Sequence, residues 1–215
     1  KWILSKANTL AKDVTENLDK YELGIALQKV YDFIWEEFCD WYIEMVKPRL
    51  WKDDDETKAA ALWTLKTVLI QSLKLLHPYM PFITEEIFCN LQDKEESIMV
   101  SEWPEYNDSL NFEKEAAEFE KVMAAVKAVR NRRAEMNVPP SRKALLCVET
   151  AEKDVFSAAS PVLMRLASGS SVEVGAEFNM PDAVRVVTDA ATIYIPMNEL
   201  VDFTAELARL RKELE

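Results

Sequence analysis

Glycine is the residue whose scarcity most constrains this chain, because only three occur among 215 residues. Glycine supplies the tight turns and positive-φ positions that proteins rich in hairpins need at frequent intervals. Its scarcity therefore favours long helices with few hairpins. A chain of this length can form one large domain or two small ones, and a hydrophobic content of 49% is sufficient for a core.

The formal net charge of −12 argues against delocalised binding to nucleic acid or to an anionic membrane. An RNA contact would therefore need a local basic patch. The candidate is VRNRRAEMNVPPSRK, residues 129–143, which lies in a wider basic stretch that has one acid, Glu135. The bases of that stretch are Lys121, Lys127, Arg130, Arg132, Arg133, Arg142 and Lys143.

Apolar residues at spacings of three and four predict helices over 2–18 and 22–47, the second ended by Pro48. A third helix follows the acidic run 53–56, and a fourth begins near Pro81. Four helices with short links predict an antiparallel bundle. Trp103-Pro104 is expected to hold a crossing loop against it. Residues expected to face inward include Trp35, Trp41, Leu62 and Ile83.

A long helix is predicted over about 112–136, ended by Pro139-Pro140, and the apolar period then changes. Short strands are predicted at Ala144–Val148, Val172–Val174, Ala183–Thr188 and Thr192–Ile195, with a helix near 152–166. Phe203, Leu207, Leu210 and Leu214 follow a heptad spacing. The predicted domains are a bundle at 1–111, a connecting helix and turn at 112–142, an α/β subdomain at 143–199 and the start of a coiled coil at 200–215.

Motifs for catalysis are absent from the sequence: there is no P-loop and no dinucleotide-binding glycine motif. The single histidine, His77, has no nucleophile or metal partner nearby in sequence, so a structural role is expected. Three widely spaced cysteines indicate reduced thiols in a cytosolic protein, with neither a metal nor a cofactor site. The sequence contains no uninterrupted run of eighteen apolar residues, so no membrane span is expected. The aromatic residues Trp35, Trp41 and Tyr42 are expected to pack in the core.

Helical geometry divides the basic stretch into two groups. At about 100° per residue, Arg130 and Arg133 continue the apolar stripe of Val122, Val126 and Val129, whereas Arg132 points away from it. Two interpretations remain open for Arg130 and Arg133: they pair with carboxylates, or they line a groove between domains and meet RNA phosphates. The other bases, Arg132, Arg142 and Lys143, are expected to be exposed.

Six segments resemble, in order, the C-terminal part of the bacterial valyl-tRNA synthetase family, within the class I aminoacyl-tRNA synthetases. They are WILS at 2–5, FCDWYIEMVKP at 38–48, LLHPYMPFITEEIF at 75–88, SIMVSEWP at 97–104, VRNRRAEMNVPPSRK at 129–143 and VDFTAELARLRKEL at 201–214. The chain begins with Lys1 and stops inside a helical pattern, so we expect it to be a piece of a longer protein.

The resemblance implies a mainly α fold: a helical anticodon-binding bundle, a small α/β subdomain and the start of a coiled-coil arm. It implies a parent enzyme, monomeric and cytoplasmic, that joins valine to tRNA(Val) using ATP. The HIGH and KMSKS signatures do not occur in this chain, so the fragment itself is expected to be non-catalytic and to bind tRNA rather than DNA or a membrane. The expected tRNA contacts are Arg130, Arg133, Arg142 and Lys143, with Arg49 and Lys52 at the bundle end.

Two alternatives stay open at this point. The chain could be the equivalent domain of an isoleucyl- or leucyl-tRNA synthetase, although the NVPPS turn and the heptad tail argue against it. It could also be a helical protein-interaction module without RNA binding, which the net charge of −12 favours. One departure from the family pattern is Arg132, at a position that is commonly apolar in the family.

Overall fold

A computed structural model describes residues 1–52, 54–92 and 94–200. These residues are mainly helical and include one small mixed sheet. The chain divides into two compact units, Lys1–Ala116 and Ala117–Glu215.

The first unit is helical. Its elements are α1 (Trp2–Asp19), α2 (Leu23–Asp32), a π-helix (Phe33–Ile43), α3 (Glu44–Trp51), α4 (Lys58–Leu76) and α5 (Pro81–Leu91), with short 3₁₀ turns at Ile98–Val100 and Asp108–Leu110. The predicted stripe of α1 is buried, as at Ile3, Ala7, Leu10 and Val14. It faces α2 and α4, since apolar residues three and four positions apart share one side of a helix.

The segment predicted as one helix over 22–47 has a different form. It continues past Pro48, which lies inside α3, and ends at Trp51; a proline removes one hydrogen bond but does not prevent a few further helical residues. Its middle is a π-helix, whose i→i+5 bonds widen the turn. Side chains there rotate by less than about 100° per residue. The prediction that Trp35 is buried was therefore wrong, because its side chain is 58% exposed, whereas Trp41 is buried as predicted.

Helices α4 and α5 each expose a residue that was predicted to be buried. Leu62 and Ile83 were expected to face inward, yet about half of each is exposed. Helix α4 buries Ala61, Val68, Ser72, Leu73 and Leu75, and α5 buries Thr84 and Phe88. Each helix contacts its neighbours along a narrower strip than its apolar surface, so leucine and isoleucine outside that strip remain in contact with solvent.

Helix α4 is also long and apolar enough to cross a membrane by length and composition, with a mean hydropathy of 1.2. Length and hydropathy do not separate a spanning helix from the core helix of a water-soluble protein. Val68, Leu73 and Leu75 of α4 are buried inside the helical unit, where α4 contacts α1, α2, α3 and α5. That packing is typical of a core helix.

The loop after α5 is fastened to α1 by side-chain hydrogen bonds. Trp103 Nε1 donates to Thr15 Oγ1 at 2.8 Å, which confirms that Trp103 holds this loop against the helices. Asn8 exchanges two hydrogen bonds with the backbone of Asn107. Ser5 Oγ lies 3.2 Å from Asn111 Oδ1. Ser5 and Asn8 are buried, and these bonds satisfy them.

The second unit contains a four-stranded sheet in the order β2-β1-β4-β3. The strands are β1 (Ala144–Glu149), β2 (Gly169–Gly175), β3 (Ala183–Val187) and β4 (Thr192–Pro196), and the helices are α7 (Lys153–Ala158), α8 (Ser160–Leu166) and α9 (Met197–Leu200). All four strands were predicted. The pair β1 and β2 is parallel and β4 is antiparallel to both β1 and β3. A parallel pair needs a crossover connection, and α7 and α8 supply it.

The long helix α6, Glu113–Glu135, ends in a Schellman motif. Val138 N donates to Arg133 O at 2.9 Å, and Asn137 N donates to Ala134 O at 3.0 Å. Asn137 has φ 54°, the left-handed conformation that this motif requires. Asn137 therefore terminates the helix before the Pro139-Pro140 pair is reached. The predicted heptad from Phe203 to Leu214 lies outside the described residues.

Candidate nucleic-acid interface

The three arginines near the end of α6 have separate environments. Arg132 is exposed and forms an ion pair with Glu135 one turn along, at 3.0 Å. Arg130 is exposed, and its Nε donates to the carbonyl of Leu166 at 2.6 Å. Arg133 is buried. Helical geometry predicted that Arg132 points away from the apolar stripe and that Arg133 continues it, and both predictions are confirmed. Arg130 was predicted to continue the stripe as well, but its side chain is exposed and bonds to a backbone carbonyl.

Arg133 binds backbone carbonyls. Its Nη2 donates to the carbonyl of Arg142 and, at 3.4 Å, to that of Pro139. Burial lowers the pKa of the guanidinium from its ordinary value, because desolvation disfavours the charged form. Its buried Nη1 has no hydrogen-bond partner in the part of the chain that the structure describes. Arg133 thus connects the end of α6 to the turn at 139–142 by binding carbonyl oxygens. The sequence interpretation in which Arg133 forms ion pairs had required carboxylates as its partners instead.

Arg142 and Lys143 differ from each other. Arg142 is half-buried, although it was predicted to be exposed, and its Nε donates to the carbonyl of Glu199 at 2.5 Å. The carboxylate of Glu199 in turn accepts from Leu145 N at 2.6 Å. Lys143 is exposed, as predicted, and no hydrogen bond or ion pair to it occurs among residues 1–52, 54–92 and 94–200. The lysine side chain is therefore the freer of the two to reach a phosphate.

Arg49 fastens the end of α3 to the start of α4. Its Nε donates to Thr57 Oγ1 and its Nη2 to Thr57 O, both at 2.8 Å. Thr57 N donates to Asp55 Oδ1 at 2.8 Å, and Thr57 Oγ1 also contacts that oxygen. Hydrogen bonds from the Thr57 hydroxyl and backbone N–H, with a smaller contribution from Arg49, lower the pKa of Asp55. Lys52, three residues after Arg49, is exposed.

Exposed tryptophans accompany Arg49 and were missed by sequence reasoning. Trp51, in the same helix as Arg49, and Trp63, in the first half of α4, are both well exposed. Exposed rings near cations are typical of surfaces that stack unpaired RNA bases. A signal was present in the sequence, since Trp51 directly precedes Lys52 at the end of an apolar pattern.

A second exposed aromatic pair lies on α2 and the π-helix. The rings of Tyr31 and Trp35 stack with their centroids 6.4 Å apart and an interplanar angle of 8°. Both side chains are more than half exposed. Trp35 was expected to pack in the core, and the wider π-helical turn places it at the surface instead.

The surroundings of His77 and of the possible metal-ligating side chains are also defined. Among the described residues, no group of three or more His, Cys, Asp and Glu side chains is placed to hold a metal ion. His77 Nδ1 lies 2.7 Å from Thr84 Oγ1, and the buried Thr84 hydroxyl donates to the carbonyl of Met80 at 2.8 Å. This arrangement joins the ends of α4 and α5, in keeping with a structural role for His77.

Comparison with known proteins places these features in a family. Residues 1–150 match the family model described as the anticodon-binding domain of tRNA ligase. The chain is 50% identical to a valine–tRNA ligase of Clostridium perfringens over 99% of its own length. Identity to the valine–tRNA ligases of Clostridium tetani and Oceanobacillus iheyensis is 48% and 37%, over 97% and 100% of the chain.

The chain spans about a quarter of the length of these relatives, 24% for both Clostridium proteins and 25% for the Oceanobacillus protein. The family model covers the whole helical unit and extends through β1 of the second unit. This chain therefore belongs to the family of anticodon-binding domains of tRNA ligases.

Proposed function

We propose that this chain is the anticodon-binding region of a valine–tRNA ligase, and that it binds the anticodon stem-loop of tRNA(Val) without taking part in catalysis. The observation that carries the proposal is the agreement of two matches: an anticodon-binding family model over residues 1–150 and valine–tRNA ligases along nearly the whole chain. The names of these relatives favour the valine enzyme over the isoleucine and leucine enzymes. The whole protein would then be a cytoplasmic monomer that uses ATP to join valine to its tRNA.

The proposed architecture is that of an antiparallel helical bundle followed by the α/β subdomain. RNA phosphates would meet the exposed cations Lys52, Lys143 and Arg130, because a phosphate contact needs a charged group that can reach solvent. Arg49 and Arg142, which are half-buried, also belong to the proposed set, whereas the buried Arg133 would contribute indirectly, through the turn that it holds. All three arginines donate hydrogen bonds to backbone carbonyls. Through these bonds they would also fix the turns that carry Lys52 and Lys143.

Unpaired anticodon bases would stack on exposed rings. Trp51 and Trp63 support this step, since they lie in the helices that Arg49 joins. Stacking contributes about 1–3 kcal/mol per base in RNA-binding proteins. The net charge of −12 is compatible with this proposal, because local recognition needs only a few exposed cations and rings and not a basic protein surface as a whole.

The test measures affinity for tRNA(Val) as a function of salt concentration, using the full-length protein. Lys143→Ala and Lys52→Ala should each reduce the magnitude of the salt slope by about one, as expected for one lost phosphate contact. Lys153→Ala is the control, since Lys153 is also an exposed lysine but lies at the start of α7. Unchanged slopes in both variants would remove these lysines from the interface.

Specificity is measured separately. The full-length protein should bind tRNA(Val) more tightly than tRNA(Ile) at the same salt concentration and should charge tRNA(Val) with valine when ATP is supplied. Trp51→Ala and Trp63→Ala should weaken tRNA(Val) binding about 5-fold or more, as the loss of one stacked base predicts. Equal affinity for the two tRNAs would contradict the proposed function.

A further inference from the structure

One end of the helical unit carries a group of exposed apolar side chains that tRNA binding does not explain. Tyr79 Oη donates to the carbonyl of Leu23 at 2.8 Å, so the turn between α4 and α5 meets the start of α2. His77 Nε2 lies 2.9 Å from Met99 Sδ, which brings the 3₁₀ turn Ile98–Val100 to the same end. We call this surface the turn face. Its residues are Tyr21, Leu23, Met80, Phe82, Ile83, Met99 and Val100.

These side chains project strongly into solvent. The exposed fraction is 90% for Phe82, 89% for Tyr21 and 76% for Val100. Single exposed apolar residues are ordinary on protein surfaces, but a group of this size marks a place of contact. Tyr21 has φ 60° because it holds the left-handed position of a Schellman motif at the end of α1, in which Glu22 N donates to Asn17 O and Tyr21 N donates to Leu18 O. This helix end places the Tyr21 ring in solvent.

The charges around the turn face do not suit RNA. Lys74 Nζ donates to the carbonyl of Glu102 at 3.2 Å and lies 3.7 Å from Glu95 Oε2. Lys20 shares the α1–α2 turn with Asp19 and Glu22. The described residues at this end therefore include both signs of charge and form no basic patch. A phosphate backbone requires clustered cations, whereas aromatic residues and methionine are enriched in protein–protein contacts.

We propose that the turn face docks onto another folded part of the same, longer polypeptide, with Phe82 as the central side chain of the contact. This inference rests on the proposed function, in which the chain is one region of a tRNA ligase about four times as long. Three quarters of such a protein lies outside this chain and can supply an apolar surface. The occupant is thus an apolar protein surface in the same molecule, rather than RNA or a second copy.

The experiment places a photoreactive phenylalanine analogue at Phe82 in the full-length protein, in the absence of tRNA. Irradiation should join Phe82 to a peptide of the same polypeptide that lies outside this chain, with a yield that does not change on dilution. A probe at Trp35 is the matched control, because Trp35 is an exposed aromatic residue on the π-helix. The Trp35 probe should not yield the peptide joined by the Phe82 probe.

Three outcomes would overturn the proposal. A covalent dimer whose yield falls on dilution identifies a second copy as the occupant. An adduct with tRNA, seen when tRNA is added, identifies RNA. The absence of any protein adduct from Phe82 shows that the turn face stays in solvent. Because the irradiation needs no tRNA, a full-length protein that fails to bind tRNA(Val) but gives the intramolecular cross-link would contradict the proposed function alone.

Discussion

Asn8 and Asn107 form a reciprocal pair across 99 positions of the chain: Asn8 Nδ2 donates to Asn107 O at 3.0 Å, and Asn107 N donates to Asn8 Oδ1 at 2.8 Å. The side-chain amide of Asn8 thereby pairs with a backbone segment as a neighbouring β-strand would. Asn8 is buried, so both groups of its amide need partners. The loop that carries Asn107 is fixed on α1 by this pair and by the Trp103–Thr15 bond.

Asn8→Ala is expected to lower the free energy of unfolding of the helical unit by about 1–3 kcal/mol, because the fold loses the two hydrogen bonds that Asn8 exchanges with Asn107. All six tryptophans lie within residues 1–116, so tryptophan fluorescence in a urea titration reports on this unit. Asn17→Ala is the control, since the Asn17 amide donates to the Asp13 carbonyl within its own helix and not to a distant loop of the described chain. A loss as small as that of Asn17→Ala would show that the pair does not stabilise the fold.

Asn137 provides a second prediction, because it holds the left-handed position of the Schellman motif. Asn137→Gly should be neutral or slightly stabilising, whereas Asn137→Val should destabilise the second unit by about 1–2 kcal/mol, because a β-branched side chain is strained in the left-handed conformation that asparagine tolerates. The second unit contains no tryptophan. Amide hydrogen exchange in β1 and β4 measures its stability, and equal exchange in the two variants would contradict the role given to Asn137.

Local patterns in the sequence were sufficient to predict much of this structure. The four strands were found because β-branched residues between turn signals fit a half-buried sheet. Trp103 was recognised as an anchor because a tryptophan beside a proline in an irregular segment packs readily on a neighbouring surface. These predictions depend only on residues that are close together in the sequence, so they can be made without knowledge of the fold.

Long-range partners and irregular helices could not be predicted in the same way. The exposed position of Trp35 follows from the π-helix, whose onset at Phe33 has no signal in the apolar spacing. Arg142 was expected to be exposed, and it is half-buried. Its hydrogen-bond partner, the carbonyl of Glu199, lies 57 positions away, so the sequence around Arg142 gives no sign of it. The partners of Arg133 depend on the path of the turn at 139–142, and helical geometry alone gives only its direction.

Arg133 leads to a third prediction. Arg133→Met should lower the stability of the second unit by about 1–3 kcal/mol, since the carbonyls of Arg142 and Pro139 lose a charged donor. Removal of the desolvated charge offsets part of this loss. Arg132→Met, at an exposed position one residue earlier, should change stability by no more than about 0.5 kcal/mol. Hydrogen exchange in β1 distinguishes the two, and equal effects would show that the carbonyl contacts contribute little.

Asp55 gives a prediction about pH. Hydrogen bonds from the hydroxyl and N–H of Thr57, helped by the charge of Arg49, lower the pKa of Asp55 below its ordinary value of 3.8. A carboxyl whose pKa is lower in the folded state contributes stability above its unfolded pKa and loses it as the pH falls through the folded value. The free energy of unfolding by which the natural protein exceeds Asp55→Asn should therefore be complete at pH 6 and should shrink as the pH falls below 3.8.

Urea titrations followed by tryptophan fluorescence measure this difference in the free energy of unfolding. Thr57→Val removes the hydroxyl that contributes most to the shift, so it should weaken the same pH dependence. A difference between Asp55 and Asn that stays constant from pH 6 to below 3.8 would show that the Thr57 bonds do not favour the charged carboxylate.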